Sequence, residues 1–130
     1  MENKTFQERI YCSNKFLHKY PDRIPLIIEK NEKNENIVLE NYKYLLPKDV
    51  TMSQFISIIR TKMNITSKKA LFTFVKNSKE SYNSPKESYN SPKESYVLVP
   101  MNESIGNIYS IYKNDDGFLY IKFGIENTFG

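Results

Sequence analysis

The sequence lacks tryptophan and holds one cysteine and one histidine among its 130 residues. These shortages exclude most site chemistries. A lone Cys12 forms no internal disulfide, which suits a reducing compartment. The spacing from Cys12 to His18 would set the two about 240° apart on a helix, so they do not face one another as a nucleophile pair. One of each makes no metal cluster, and no Gly-rich phosphate loop is present. Asp115 and Asp116 precede Gly117 and read as turn formers rather than as a cation site. No apolar run approaches the ~20 residues of a membrane helix. The stretch 1–9 is polar and carries no apolar signal region. The expectation is a cytoplasmic protein that is not an enzyme, uses no cofactor, metal or catalytic residue, and acquires any membrane association later.

The formal net charge is +4, carried by sixteen Lys and three Arg against fifteen acidic residues. The Lys and Glu alternate, as in Glu29-Lys30, Glu32-Lys33 and Lys79-Glu80, rather than clustering on one face, so nucleic acid is not the expected partner. A mild basic balance suits acidic peptides or anionic membrane surfaces. The length fits one domain, residues 1–130. Hydrophobic residues at 39% with a mean hydropathy of -0.59 imply a core plus one unusually polar segment. An aromatic share of 14% is too high for a disordered chain.

Residues 5–19 predict a helix, with Thr5 and Glu8 spaced as a capping box and Phe6, Ile10 and Leu17 on one stripe beside Phe16 and Tyr20. Pro21 ends it, so residues 1–20 form an N-terminal helical extension. Residues 24–29 predict a buried strand, with Pro25 marking an edge or a strand start. Residues 38–46 predict its hairpin partner, with Tyr42, Tyr44 and Leu46 on one face and Lys43 and Leu45 on the other. Thr51 and Gln54 form a second capping box, with Val50 and Phe55 placed as a hydrophobic staple. Met52, Phe55, Ile59 and Met63 make the inner stripe of the helix that follows. Residues 70–75 predict a strand. Residues 104–112 predict a helix with Ile105, Ile108 and either Ile111 or Tyr112 inward, and residues 118–123 a final strand after the Asn114-Asp-Asp-Gly117 turn. This order fits an α+β, ubiquitin-like β-grasp: a four-stranded mixed sheet with helices packed on it and an added N-terminal helix.

Between the last two helices the composition changes. Lys79-Glu-Ser-Tyr-Asn-Ser-Pro85 recurs as Lys86 to Pro92 and begins again at Lys93. Its prolines forbid a continuous helix or central strand, so residues 77–96 read as a polar, mobile loop. Replication slippage at a loop tip accounts for it at little closure cost. Ser84-Pro85 and Ser91-Pro92 also have the form of kinase sites.

With no active site in view, the terminus is the remaining candidate. Thr128-Phe129-Gly130 ends the chain in a glycine carboxylate just after a strand. A carboxylate passed through an adenylate and thioesters must be unhindered, and glycine has no Cβ.

Three stretches carry a resemblance. They are Lys19-Tyr-Pro-Asp-Arg-Ile-Pro-Leu-Ile-Ile-Glu-Lys30; Lys43-Tyr-Leu-Leu-Pro47 followed by Gln54-Phe55 and Ile59-Arg60; and Asp115-Asp-Gly-Phe-Leu-Tyr-Ile121 ending in Glu-Asn-Thr-Phe-Gly130. In these the chain resembles the autophagy ubiquitin-like modifiers, the family of GABA-receptor-associated protein and the microtubule-associated light chain proteins, from about Phe6 to Gly130 apart from the repeat. The resemblance implies that Gly130 is charged by an activating enzyme, passed to a conjugating enzyme and joined to phosphatidylethanolamine. A cysteine protease would recognise Thr128, Phe129 and Gly130 in processing and delipidation. Because Gly130 is last, either the gene ends there or the chain is in mature form. The family also binds aromatic-x-x-aliphatic peptides of cargo receptors as an added strand. By motif position the aromatic pocket would be Phe16, Pro25, Ile27, Lys43, Leu45 and Phe118, and the aliphatic pocket Tyr44, Leu46, Pro47, Val50, Phe55 and Ile58. Arg23, Lys43 and Arg60 would meet acidic peptide residues. The implied protein is monomeric in solution and sits on autophagosome or other vesicle membranes when lipidated. Two departures stand out. The chain starts too late to hold the family's short first helix in full, and the repeat enlarges the loop after the strand with Phe72 and Phe74.

Three functions remain open on the sequence: a lipid-conjugated modifier acting as a membrane-anchored adaptor, a β-grasp peptide-binding adaptor that is never conjugated, and a basic nucleic-acid binder. A reading frame ending at Gly130, or a protease site following it, separates the first two. A salt-dependent gel shift would revive the third.

Overall fold

The computed structural model describes residues 4–29, 42–63, 65, 69–77 and 95–127. Helix α1 (Phe6–Lys19) opens where expected: the Glu8 amide donates to the Thr5 hydroxyl at 3.1 Å. It closes where the Tyr20 amide donates to the Phe16 carbonyl, one residue before Pro21. Its inner stripe is centred on Ser13, the one fully buried residue of the helix; Ile10 and Leu17 are half-buried and Phe6 is exposed. Helix α2 (Met52–Met63) carries the capping box in both directions. The Gln54 amide donates to Thr51 Oγ1 (3.2 Å) and the Thr51 amide to Gln54 Oε1 (2.9 Å). Met52, Phe55 and Ile59 are buried as the spacing predicts, joined by Ile56. Helix α3 (Ile105–Tyr112) is capped by Ser104 and turns Ile105, Ile108 and Tyr112 inward, leaving Ile111 exposed.

Among the described residues five strands, not four, build the sheet: β1 (Arg23–Glu29), β2 (Lys43–Pro47), β3 (Lys69–Lys76), β4 (Tyr96–Leu98) and β5 (Leu119–Asn127), in the order β2-β1-β5-β3-β4. β1 and β5 run parallel at the centre and the other neighbours are antiparallel. Alternation sends Ile24, Leu26 and Ile28 of β1, Leu119, Ile121 and Phe123 of β5, and Leu71 and Val75 of β3 to one face, where they form a single core with α2 and α3. The opposite face carries α1. The second strand begins at Lys43; the expected positions 38–41 lie outside the described residues, and Tyr42 is exposed.

The register explains how Pro25 sits inside a strand with neighbours on both sides. The Ile28 amide donates to the Tyr42 carbonyl at 2.7 Å. Counting back along the antiparallel register, Leu26–Tyr44 and Ile24–Leu46 are the hydrogen-bonded pairs, whereas Pro25–Leu45 and Ile27–Lys43 are not. The Pro25 nitrogen therefore turns away from β2, and the ladder to β5 starts only at Leu26. The missing N–H leaves no gap on either side.

The strand β4 corrects the expected loop at 77–96. Tyr96 pairs with Lys76, and the Asn77 amide donates to the Ser95 carbonyl at 2.8 Å, so the ladder reaches into the third repeat copy. Tyr96 also donates its hydroxyl to Glu29 (2.9 Å), with Lys122 Nζ 4.4 Å from its ring centroid. Residues 78–94 lie outside the described residues. Deleting residues 79–92 would leave Ser78, Lys93 and Glu94 between that closing pair, and hairpins use three-residue connections routinely. The expected change in urea unfolding free energy is within about ±1 kcal/mol. A loss of several kcal/mol would mean that the repeat tyrosines pack on the domain.

One defect lies in the core. Thr73 is wholly buried opposite Phe123, and its hydroxyl has no hydrogen-bond partner among the described residues. Thr73→Val keeps the shape and removes the orphaned group. Urea unfolding should show a gain of about 1 kcal/mol, and a loss would mean the hydroxyl is satisfied.

Candidate functional site

β2 is an edge strand, and its residues face two different surroundings. On the α1 side, Phe16 of α1 meets Phe118 edge-on with ring centroids 6.5 Å apart. Below them opens a cavity of about 170 Å³ lined by Phe16, Pro25, Lys43, Leu45 and Phe118, with Leu26 and Tyr44 completing the wall. That is comparable to the ~150 Å³ cavity known to accept a benzene ring. Five of the six residues predicted for an aromatic pocket are thus brought together. Ile27 is buried one step further along β1, across from Lys43 and outside the lining. Lys43 stands at the lip, its Nζ 5.9 Å from the Phe16 centroid.

On the α2 side the predicted residues divide. Phe55 and Leu46 belong to the core, and Phe55 is wedged between Tyr44 and Phe123 at centroid distances of 5.9 Å each. Tyr44 and Val50 are half-buried, while Pro47 and Ile58 are exposed. Burial raises the pKa of the Tyr44 phenol, whose hydroxyl has no partner among the described residues. Lys62, absent from the sequence expectations, lies with Nζ 4.9 Å from the Tyr44 centroid. Arg23 is exposed and reaches the Leu45 carbonyl only at 3.4 Å; Arg60 is half-buried.

The register also fixes what the outer edge of β2 offers among the described residues. Tyr42, Tyr44 and Leu46 direct their backbone groups to β1, so those of Lys43 and Leu45 point outward. Pro47 has no N–H and ends the usable edge.

Sequence reasoning missed the group that seats α1 above this site. Asp116, expected only to form a turn, is 1% exposed. Its Oδ2 accepts from Arg9 Nε (2.9 Å) and from the Tyr120 hydroxyl, and its Oδ1 from the Phe118 amide (2.9 Å). Burial first, and then the bond to Asp116, push the Tyr120 phenol well above its usual pKa. Tyr109 is raised by burial and then by the Asp116 charge, and it donates to the Gly117 carbonyl at 2.7 Å. Asp116 and Arg9 lie 107 residues apart, and no local pattern links them.

Cys12 is half-buried and accepts from Lys4 Nζ at 3.1 Å. Among the described residues no His, Cys, Asp and Glu group is placed to hold a metal, and no helix is long and apolar enough to cross a membrane. Thr128, Phe129 and Gly130 lie outside the described residues.

Comparison with known proteins bears on these features. A family model described as "Autophagy protein Atg8 ubiquitin like" matches residues 8–96. Autophagy-related protein 8e of Arabidopsis thaliana is 38% identical over 125 residues, covering 96% of this chain and 87% of its own length. Autophagy-related protein 8 of Schizosaccharomyces pombe is 35% identical over 126 residues, covering 97% and 88%. The crystal structure of Trypanosoma brucei ATG8 superposes with a TM-score of 0.73 at 32% identity, over 99% of this chain and 95% of that one. Plasmodium falciparum Atg8, solved in complex with a Plasmodium falciparum Atg3 peptide, shares the fold at a TM-score of 0.72 and 21% identity, over 95% and 92%. A family match over more than half the chain, and relatives above 30% identity along nearly all of it, establish that this ubiquitin-like chain belongs to the Atg8 family of autophagy modifiers.

Proposed function

We propose that the chain is joined through Gly130 to phosphatidylethanolamine and then acts as a membrane-anchored adaptor, recruiting cargo receptors that carry aromatic-x-x-aliphatic motifs. The observation that carries the docking half is the free edge of β2, with its outward groups at Lys43 and Leu45 and a different side-chain site on each face. An added strand alternates its side chains, so residues three apart fall on opposite faces. The aromatic side chain enters the cavity between Phe16 and Phe118, and the aliphatic one rests against Tyr44, Pro47, Val50 and Ile58 on the other side. Arg23, Lys43 and Arg60 attract acidic residues in the peptide.

Support for the conjugation half is of a different kind. β5 holds its pairing with β3 up to Asn127, opposite Lys69, and Thr128, Phe129 and Gly130 follow in sequence. A relative has been solved with an Atg3 peptide. By the same logic activating and conjugating enzymes and a processing and delipidating protease are partners here. The adaptor is cytoplasmic until conjugated, and vesicle-bound afterwards.

Calorimetric titration of an acidic aromatic-x-x-aliphatic peptide tests the docking half. Leu45→Ala should weaken binding by about 1–2 kcal/mol, the transfer value of one apolar side chain. Lys43→Glu should weaken it by like-charge repulsion, and the loss should shrink in high salt. Equal affinities for the wild type and both variants would place the peptide elsewhere or nowhere.

A further inference from the structure

We propose that Asp116 is a positioning residue for the aromatic cavity: by holding α1 against the turn before β5, it sets the distance between Phe16 and Phe118. The consequence for affinity rests on the peptide-docking proposal; the geometry does not.

Arg9, Ser13 and Phe16 are spaced i, i+4, i+7 and share one face of α1. Asp116, Gly117 and Phe118 are consecutive. The two sets meet rung by rung. Arg9 pairs with the Asp116 carboxylate at 2.9 Å. Ser13 donates to the Asp116 carbonyl and lies so close to Gly117 that a Cβ there would stand 2.3 Å from its Oγ. Phe16 meets Phe118 edge-on. Only the third rung is apolar.

A helix usually attaches through a wide apolar stripe. In α1 the sole fully buried residue is a serine, while Phe6 and Tyr11 are 42% and 67% exposed. The polar rungs must therefore carry much of the attachment. They are suited to it, because the Asp116 charge is out of water and each carboxylate oxygen accepts a hydrogen bond from a defined donor. The Phe118 amide is one of those donors, so one carboxylate fixes both walls: Phe118 directly, and Phe16 through Arg9. If α1 lifts, the Phe16 wall leaves, and apparent affinity falls in proportion to the fraction of molecules with α1 seated.

The test uses the full chain with Arg9→Gln and Asp116→Asn, a synthetic acidic peptide with Trp and Leu as its anchors, and the same peptide with Trp replaced by Ala. In both variants the ring–ring NOE between Phe16 and Phe118 should weaken. Amides of α1 should exchange about tenfold faster while those of β5 keep their protection. Affinity for the Trp peptide should fall about tenfold, and that for the Ala peptide less than about twofold, as expected if only about a tenth of the molecules keep α1 seated. Arg9 is 27% exposed, so Arg9→Gln carries the test alone should Asp116→Asn fail to fold. Wild-type NOE and α1 exchange overturn the proposal, as does an equal loss for both peptides with α1 still seated. If the wild type binds neither peptide, the docking proposal fails, while the NOE and exchange still decide this one.

Discussion

Gly130→Ala is expected to leave the fold unchanged and to abolish the lipid-linked form. Glycine has no side chain, so the substitution removes no side-chain contact; it adds one methyl group three residues past Asn127, which pairs with Lys69. Its effect falls on the transfer chemistry. In the proposed conjugation the terminal carboxylate passes from adenylate to two thioesters and then to the lipid amine, and at each step a nucleophile approaches the carbonyl carbon. A Cβ beside that carbon narrows the approach, which glycine leaves open. Displacing a reacting atom by about 1 Å can cost on the order of a hundredfold in rate, and each of the three transfers is open to that penalty. Incubation with the activating and conjugating enzymes and phosphatidylethanolamine vesicles should give a mobility shift for the wild type and none for Gly130→Ala, with identical urea curves. Lipidation of the variant at the wild-type rate would contradict conjugation through the bare Gly130 carboxylate, and a wild type that gives no lipid-linked form would favour an adaptor that is never conjugated.

Among the glycines of the described residues, Gly117 should be the one least tolerant of alanine. Gly117 has φ +92°, which costs an L-residue about 1–2 kcal/mol. A Cβ would also fall 2.3 Å from Ser13 Oγ and 2.8 Å from Ser13 Cβ. Ser13 is buried, so it can yield only if α1 moves. Together the two effects should cost about 2–4 kcal/mol in urea unfolding. Faster α1 exchange and weaker peptide binding should accompany the loss, because the lost contact is the middle rung between α1 and the turn. A change under about 0.5 kcal/mol would mean that the turn relaxes without disturbing the helix.

What was legible in the sequence was local. The Thr51–Gln54 box, the Met52–Phe55–Ile59 stripe and the turn at Gly117 each depend on residues a few positions apart, and each formed as predicted. β4 was missed because Val97 and Leu98 are too short a run for any period to register, and because its first residue, Tyr96, belongs to the repeat. Only the neighbouring β3 makes these residues a strand. The central β1–β5 pairing joins segments near the two ends of the chain, and no local pattern shows it; the order of elements pointed only to a mixed sheet of the β-grasp kind. Motif position named five residues that line one cavity, but not what supports them. Asp116 beside a glycine looks like any turn aspartate until the fold brings Arg9 to it. On the other face, motif position could not tell that Phe55 and Leu46 pack inward, because an apolar side chain at a strand or helix position suits a pocket and a core equally well.

The central claim, that a peptide joins the sheet at β2, is tested most directly by NMR of the chain bound to an acidic aromatic-x-x-aliphatic peptide. The account predicts backbone NOEs between the peptide and Lys43 and Leu45, slowed exchange of those two amides, and little change in the amides of Tyr44 and Leu46, which already face β1. Saturable binding with no cross-strand NOE at β2, or with new protection confined to β4 or α3, would contradict it.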